Sequence, residues 1–281
     1  MGGRAVLGVL LGVALVAAAV SFSRCLPRPG DDVEWVRRED AIIVQMKTAS
    51  GADVSNVVPD FTLYGDGTLL FARPDEAGHL RLQRANLAEP AVRDLLEFIA
   101  GTGFMDFSYE QPRPERATSR PTTFIYAQTM LAANAVSAYA LDSALAEGEG
   151  QEWRQFRRLQ EISRRLESLD PLTLDAKADG EFVPEALLLV VEETGAPDTA
   201  GSPIDWPLPA IDLNAIAPPG AGRVQLLMDG PAAAALLAGF TSSGLSVPLI
   251  GPYRERDRFF FVGYRPVLPY EDNFPEFEPP P

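Results

Sequence analysis

The chain is predicted to be an α+β protein: an N-terminal signal or anchor helix, then two small units that each join an antiparallel sheet to helices. Three observations carry this. Residues 5–22 form one uncharged run, apolar but for Ser21. Short apolar stretches separated by Gly, Pro and Asp recur after it, and two of them flank Gly65-Asp66-Gly67. Two longer segments change to helical spacing, with apolar residues three and four apart. The expected boundaries are 1–26 for the anchor or signal, 27–170 and 171–268 for the two α+β domains, and 269–281 for a Pro-rich acidic tail.

Ala5–Phe22 gives 18 uncharged residues, apolar but for Ser21, just within the length that spans a bilayer as a helix. It lies between Arg4 and the pair Arg24 and Arg28. The reading adopted is an uncleaved membrane anchor with the rest of the chain outside the cytoplasm. Cleavage after Ala19, in Ala17-Ala18-Ala19, would make the protein secreted. Cys25 is the only cysteine, so no internal disulfide forms. Arg24 directly before it argues against a lipoprotein signal.

Ala41–Met46 reads as a strand. Phe61–Tyr64 and Thr68–Phe71 read as a hairpin closed by Asp66-Gly67, since glycine accepts the positive φ of a tight turn. His79–Arg84 alternates as a third strand. Val92, Leu95, Leu96 and Ile99 fall on one helical face, with Pro90 in the first turn and Gly101 or Gly103 at the end. Thr122–Thr129 and Ala135–Leu141 read as strands. A helix over about 151–169 buries Trp153, Phe156, Leu159, Ile162, Leu166 and Leu169 and stops at Asp170-Pro171. Ala186–Val191 and Val224–Met228 are strands on either side of a Pro- and Gly-rich surface stretch, 195–222. An Ala-rich helix runs from Gly230 to about Gly239, and Val247–Ile250 with Arg258–Gly263 close the unit as a strand pair. From Pro266 onward, repeated proline predicts an extended, poorly ordered tail.

Part of this pattern resembles exported bacterial proteins of uncharacterised function. The motifs concerned are the Tyr64–Thr68 hairpin, the Leu87–Leu96 helix segment, a short strand at Gly103–Phe107, Asp205–Leu208 and Tyr264–Pro269. Together they span about half of the chain. They are turn and core motifs, so the resemblance implies a fold and an address and transfers no catalytic residue.

Net charge is −15. Residues 31–170 hold 15 basic and 23 acidic side chains, and residues 171–281 hold 6 and 16. Both halves are acidic, which disfavours nucleic acid as a partner. The single histidine, His79, excludes zinc sites built on a His pair. The residues three before Lys47 and Lys177 are Val44 and Leu174, so no Ser-x-x-Lys exists. Neither a phosphate loop nor a Gly-x-Ser-x-Gly elbow is present. Asp175, Asp179 and Gly180 have partial calcium-loop spacing, but Lys177 and Ala186 occupy two ligand positions. The segment is read as a turn, and no cofactor or metal is expected.

Two features are candidate binding sites. Arg154, Arg157, Arg158, Arg164 and Arg165 lie opposite the apolar stripe of the 151–169 helix, an arrangement suited to anionic lipid or polyanionic wall polymer. The polar stretch 108–121 carries Tyr109, Arg113, Arg116 and Arg120. The expected role is non-catalytic binding or scaffolding at a bacterial envelope, with membrane contact through Ala5–Phe22 and an envelope protein or wall polymer as partner. The alternative is a carboxylate-dependent hydrolase of envelope glycans. It requires two converging acids, one of them buried, with Glu192, Glu193 and Asp106 the least ordinary acids in the sequence. A calcium-stabilised surface domain is the third reading.

Overall fold

The computed structural model describes residues 33–49, 58–74, 80–114, 120–142, 148–169, 177–195, 204–242 and 253–273. The anchor segment Ala5–Phe22, Cys25, His79, Arg116 and the expected strand Val247–Ile250 lie outside them. Among the described residues no helix is long and apolar enough to cross a membrane.

The architecture is α+β, with two sheets and four α-helices among the described residues. The first sheet contains β1 (Ile42–Ala49), β2 (Phe61–Tyr64), β3 (Thr68–Pro74), β4 (Leu80–Asn86), β5 (Thr122–Gln128), β6 (Ala133–Tyr139) and β7 (Lys177–Glu181). Its order is β6-β5-β1-β2-β3-β4-β7, antiparallel throughout. Helices α1 (Glu89–Gly101) and α2 (Gln151–Glu167) contribute to a core with one face of this sheet.

A register irregularity in β1 shapes the core. Ile42 pairs with Tyr64 but Val44 pairs with Leu63. The extra residue turns Ile42 away from the helices, where it packs with Tyr64, Leu70 and Leu268. Ile43 and Val44 both join the helix-side core. The irregularity thus puts two successive residues on one side of the sheet, where strict alternation would separate them.

In α1, Val92, Leu95, Leu96 and Ile99 are buried, each contributing roughly 1.5–3 kcal/mol. Thr102 Oγ1 donates to Ile99 O at 2.7 Å, and Gly103, at φ +80°, ends the helix in the left-handed region. The next residues correct the expected Gly103–Phe107 strand: Phe104–Asp106 is a 3-10 turn. Asn134 Nδ2 donates to the carbonyls of both Phe104 and Phe107, so a neighbouring strand's side chain satisfies backbone that a ladder would otherwise pair.

Lys177–Glu181, read from sequence as a turn, is instead strand β7 on the β4 edge of the first sheet, with Gln83 opposite Glu181 and Asn86 opposite Lys177. Phe182, just after it, and Leu268 pack on the sheet face away from the helices. The tail is also ordered at its start. Tyr64 Oη donates to Pro269 O at 2.7 Å, and Glu271–Asn273 forms a 3-10 turn. Apolar Leu268 and an acceptor for a buried hydroxyl outweigh the local proline content.

The second sheet has β8 (Ala186–Thr194), β9 (Ile204–Asp205), β10 (Arg223–Asp229), β11 (Tyr253–Glu255) and β12 (Arg258–Pro266), in the order β10-β8-β12-β11-β9. Only β9 and β11 are parallel. The short helix α3 (Leu213–Ile216) and α4 (Gly230–Ser242) supply Leu213, Ala233 and Leu236 to its core, with Trp206, Tyr253, Phe260 and Val262. The 195–222 stretch therefore contains a strand, a helix and the buried Trp206, whose Nε1 donates to Ile211 O at 2.8 Å.

Candidate functional site

The first candidate is an open cleft of about 450 Å³ at the end of the first sheet. Met46 and Thr48 of β1, Phe71 and Arg73 of β3, and Leu166 and Glu167 at the end of α2 line it, together with Asp60 and Phe61. Asp60 and Glu167 thus line one cleft. Asp60 immediately precedes β2, and its main-chain carbonyl accepts from Ala72 N at 2.9 Å. Burial pushes the Asp60 carboxyl above the usual carboxylate range, with a smaller push from Glu167 and opposition from hydrogen bonds to the Thr48 side chain and backbone. Asp60 Oδ2 is buried without a hydrogen-bond partner. Glu167 Oε1 accepts from Ser163 Oγ at 2.8 Å. Arg73 reaches the rim, donating to Leu169 O at 2.7 Å. Chemically, the cleft holds a partly buried acid whose carboxyl binds its proton more tightly than a free one, a second carboxylate and a cation.

The raised Asp60 pKa has a consequence for stability. Between about pH 3.8, the ordinary value, and its higher folded value, the native state keeps a proton that the unfolded chain releases. Asp60 therefore favours the fold most below about pH 3.8, and that contribution is lost as pH rises through the folded pKa. Asp60→Asn cannot ionise. Its melting temperature relative to wild type is expected to rise across this window and then level off. A difference independent of pH would show that Asp60 does not titrate out of its ordinary range.

The acids singled out from sequence are placed elsewhere. Glu193 is held below the usual carboxylate range by the hydrogen bond from Arg258, whose Nε lies 2.8 Å from Glu193 Oε1. That direction is wrong for a general acid. Arg258 also donates to Asn214 Oδ1 and Ala217 O, at 2.9 Å each, so the cluster ties α3 to β12. Glu192 and Asp106 are exposed. Among the described residues no group of three or more His, Cys, Asp or Glu could hold a metal ion.

The arginines of α2 are exposed on its outer face. Arg158 donates to Thr102 O at 2.6 Å and Arg157 to Gly148 O at 3.2 Å, so two of the five brace neighbouring backbone. Arg154, Arg164 and Arg165 complete the face. In the 108–121 stretch, Tyr109 O accepts from Ser137 N at 2.6 Å and Gln111 N donates to Ser137 O at 3.1 Å, which lays the segment along β6. Arg113 stacks on Tyr139 at 5.5 Å. Arg120 N donates to Tyr139 Oη at 2.9 Å.

A surface that sequence reasoning missed lies on the second sheet, on the side away from its core. Register puts Leu227 beside Leu188, Val190 beside Gly263 and Phe261 beside Glu192. Phe261 is 44% exposed and Leu227 62%. Arg223, Gln225, Glu192 and Arg265 share this face. The legible signal was that Ala186–Val191 and Arg258–Gly263 are apolar at nearly every position, so both sheet faces had to be apolar. No protein-family model, curated protein or solved structure matches the chain significantly.

Proposed function

We propose that this chain is a non-catalytic, membrane-anchored binding or scaffolding protein of a bacterial envelope, held through Ala5–Phe22 with the folded units outside the cytoplasm. Its partner is an envelope protein or wall polymer. The observation that carries the reading is the pair of exposed apolar side chains Leu227 and Phe261 on the outer face of the second sheet, flanking half-buried Leu188 and buried Val190 and edged by charged and polar side chains. An apolar centre with a polar rim is the usual anatomy of a docking surface. The test is crosslinking and affinity capture of the full-length protein from its native membranes. A stoichiometric partner is expected, and Phe261→Asp should reduce its recovery at least about tenfold with the melting temperature little changed. Undiminished recovery would remove this face as the docking surface.

A second reading, carboxylate-dependent hydrolysis of envelope glycans, is supported by Asp60. A partly buried carboxyl with a raised pKa, in a cleft with Glu167, suits a general acid. Under this reading Asp60→Asn lowers turnover of wall glycans at least about 10²-fold while the variant stays folded. Absence of turnover by the wild-type protein across wall substrates would end it.

A further inference from the structure

The β10 edge carries a separate inference. Among the described residues, β10 pairs only with β8, and no strand lies along its other side. Leu226, on the core side of the strand, is still 39% exposed. The helix that follows, α4, has no charged residue from Gly230 to Ser242. Its exposed positions include Pro231, Ala232, Ala234, Ala235 and Ala238. A surface helix ordinarily turns a charged face to water, whereas a helix apolar all round is covered. An exposed edge strand with apolar side chains is in turn a template for further pairing.

We propose that β10 pairs antiparallel with β10 of a second copy of this chain, making one ten-stranded sheet across a two-fold axis. The sequence of the strand is complementary to itself. With Leu226 on the axis, Val224 faces Met228 of the second copy, Gln225 faces Leu227, and Arg223 faces Asp229. The two ends of the seven-residue ladder thus juxtapose opposite charges, and the apolar residues gather at its centre. An isologous contact needs such self-complementarity. Because opposed residues share a face, both copies place α4 on the same side of the joined sheet. The outward alanines of α4 let that side close without bulky side chains. The pairing also leaves the Phe261 face open and doubles it. It rests on the strand edge and α4, so it stands or falls separately from the partner proposed for that face.

The test uses the full chain in its native membranes, with Cys25→Ser as background. Leu226→Cys is expected to form a disulfide-linked dimer on mild oxidation, because directly opposed residues lie at disulfide distance. Leu227→Cys is the control. It is more exposed, but two-fold pairing about Leu226 places the two copies of residue 227 diagonally, beyond the roughly 7 Å limit for bridging. Equal or greater crosslinking of Leu227→Cys would overturn the proposed register. In detergent, sedimentation should show a dimer that Arg223→Asp or Asp229→Arg weakens about tenfold and the double exchange restores. A wild-type monomer, or no restoration by the double exchange, would overturn the pairing. A monomer that still captures a stoichiometric partner would separate this failure from failure of the binding role.

Discussion

Gly65→Ala is expected to cost about 3 kcal/mol or more, a large effect for one methyl group. A Cβ at Gly65 would lie 1.8 Å from Val36 O and 2.9 Å from both the N and O of Arg38. All three are backbone atoms, so no side chain can swing aside. The glycine is also held in place from two directions. Its N–H donates to Ala41 O at 2.7 Å, and its carbonyl accepts from Trp35 Nε1 at 3.0 Å. Trp35 is buried, with the guanidinium groups of Arg37 and Arg93 at 4.9 and 5.6 Å from its ring. Relief of the clash would move the 35–38 segment off the hairpin and break these contacts together. Gly101→Ala is the matched control. No atom lies within 4 Å of its Cβ position, and it sits at the end of α1, so alanine there should be neutral or slightly stabilising. Urea denaturation of both variants decides it: a Gly65→Ala loss below about 1 kcal/mol would show that the segment yields freely.

The same hairpin shows what the sequence makes legible. Gly67, at φ +92°, is a local requirement of the turn, and Asp66 reinforces it by accepting from Thr68 N and Thr68 Oγ1 at 2.8 and 3.0 Å. Such requirements can be read from adjacent residues, as can the apolar stripes of α1 and α2. Gly65 answers to the Val36–Arg38 segment, which crosses it from nearly 30 residues earlier and which no local pattern encodes. The Asp60 cleft was hidden for a related reason. Asp60 and Glu167 are far apart in sequence and line one cleft only because the end of α2 is brought beside the ends of β1 and β3. Asp60 alone looks like a loop acid. Strand β7 was missed because Lys-Ala-Asp-Gly-Glu has turn composition, and its pairing with β4 is supplied by the sheet edge. The outer face of the second sheet was half legible: continuous apolar strands announced two apolar faces, but not which one lacked a cover.

The second large effect separates folding from binding on one helix. Phe156 is wholly buried in α2, packed between the first sheet and Trp153, whose ring centroid lies 5.6 Å away. Phe156→Ala removes most of that volume from a core lined by Leu159, Ile162 and Ile43, and is expected to cost about 3–5 kcal/mol. The opposite face should behave differently. Arg154, Arg164 and Arg165 are exposed, so replacing all three by glutamine keeps helix propensity and should change stability by about 0.5 kcal/mol or less. Part of that change comes from Arg164 and Arg165, which complement the helix dipole in the last turn. If this face contacts anionic lipid or wall polymer, the triple variant loses that binding with its melting curve intact, and the loss shrinks as salt screens the charges. Phe156→Ala should instead lower the melting temperature sharply and lose binding only to the extent that it unfolds. Unchanged binding by the folded triple variant would remove the arginine face from the interaction and leave the second sheet as the surface to pursue. A mild effect of Phe156→Ala would mean that the α2 core collapses around the cavity.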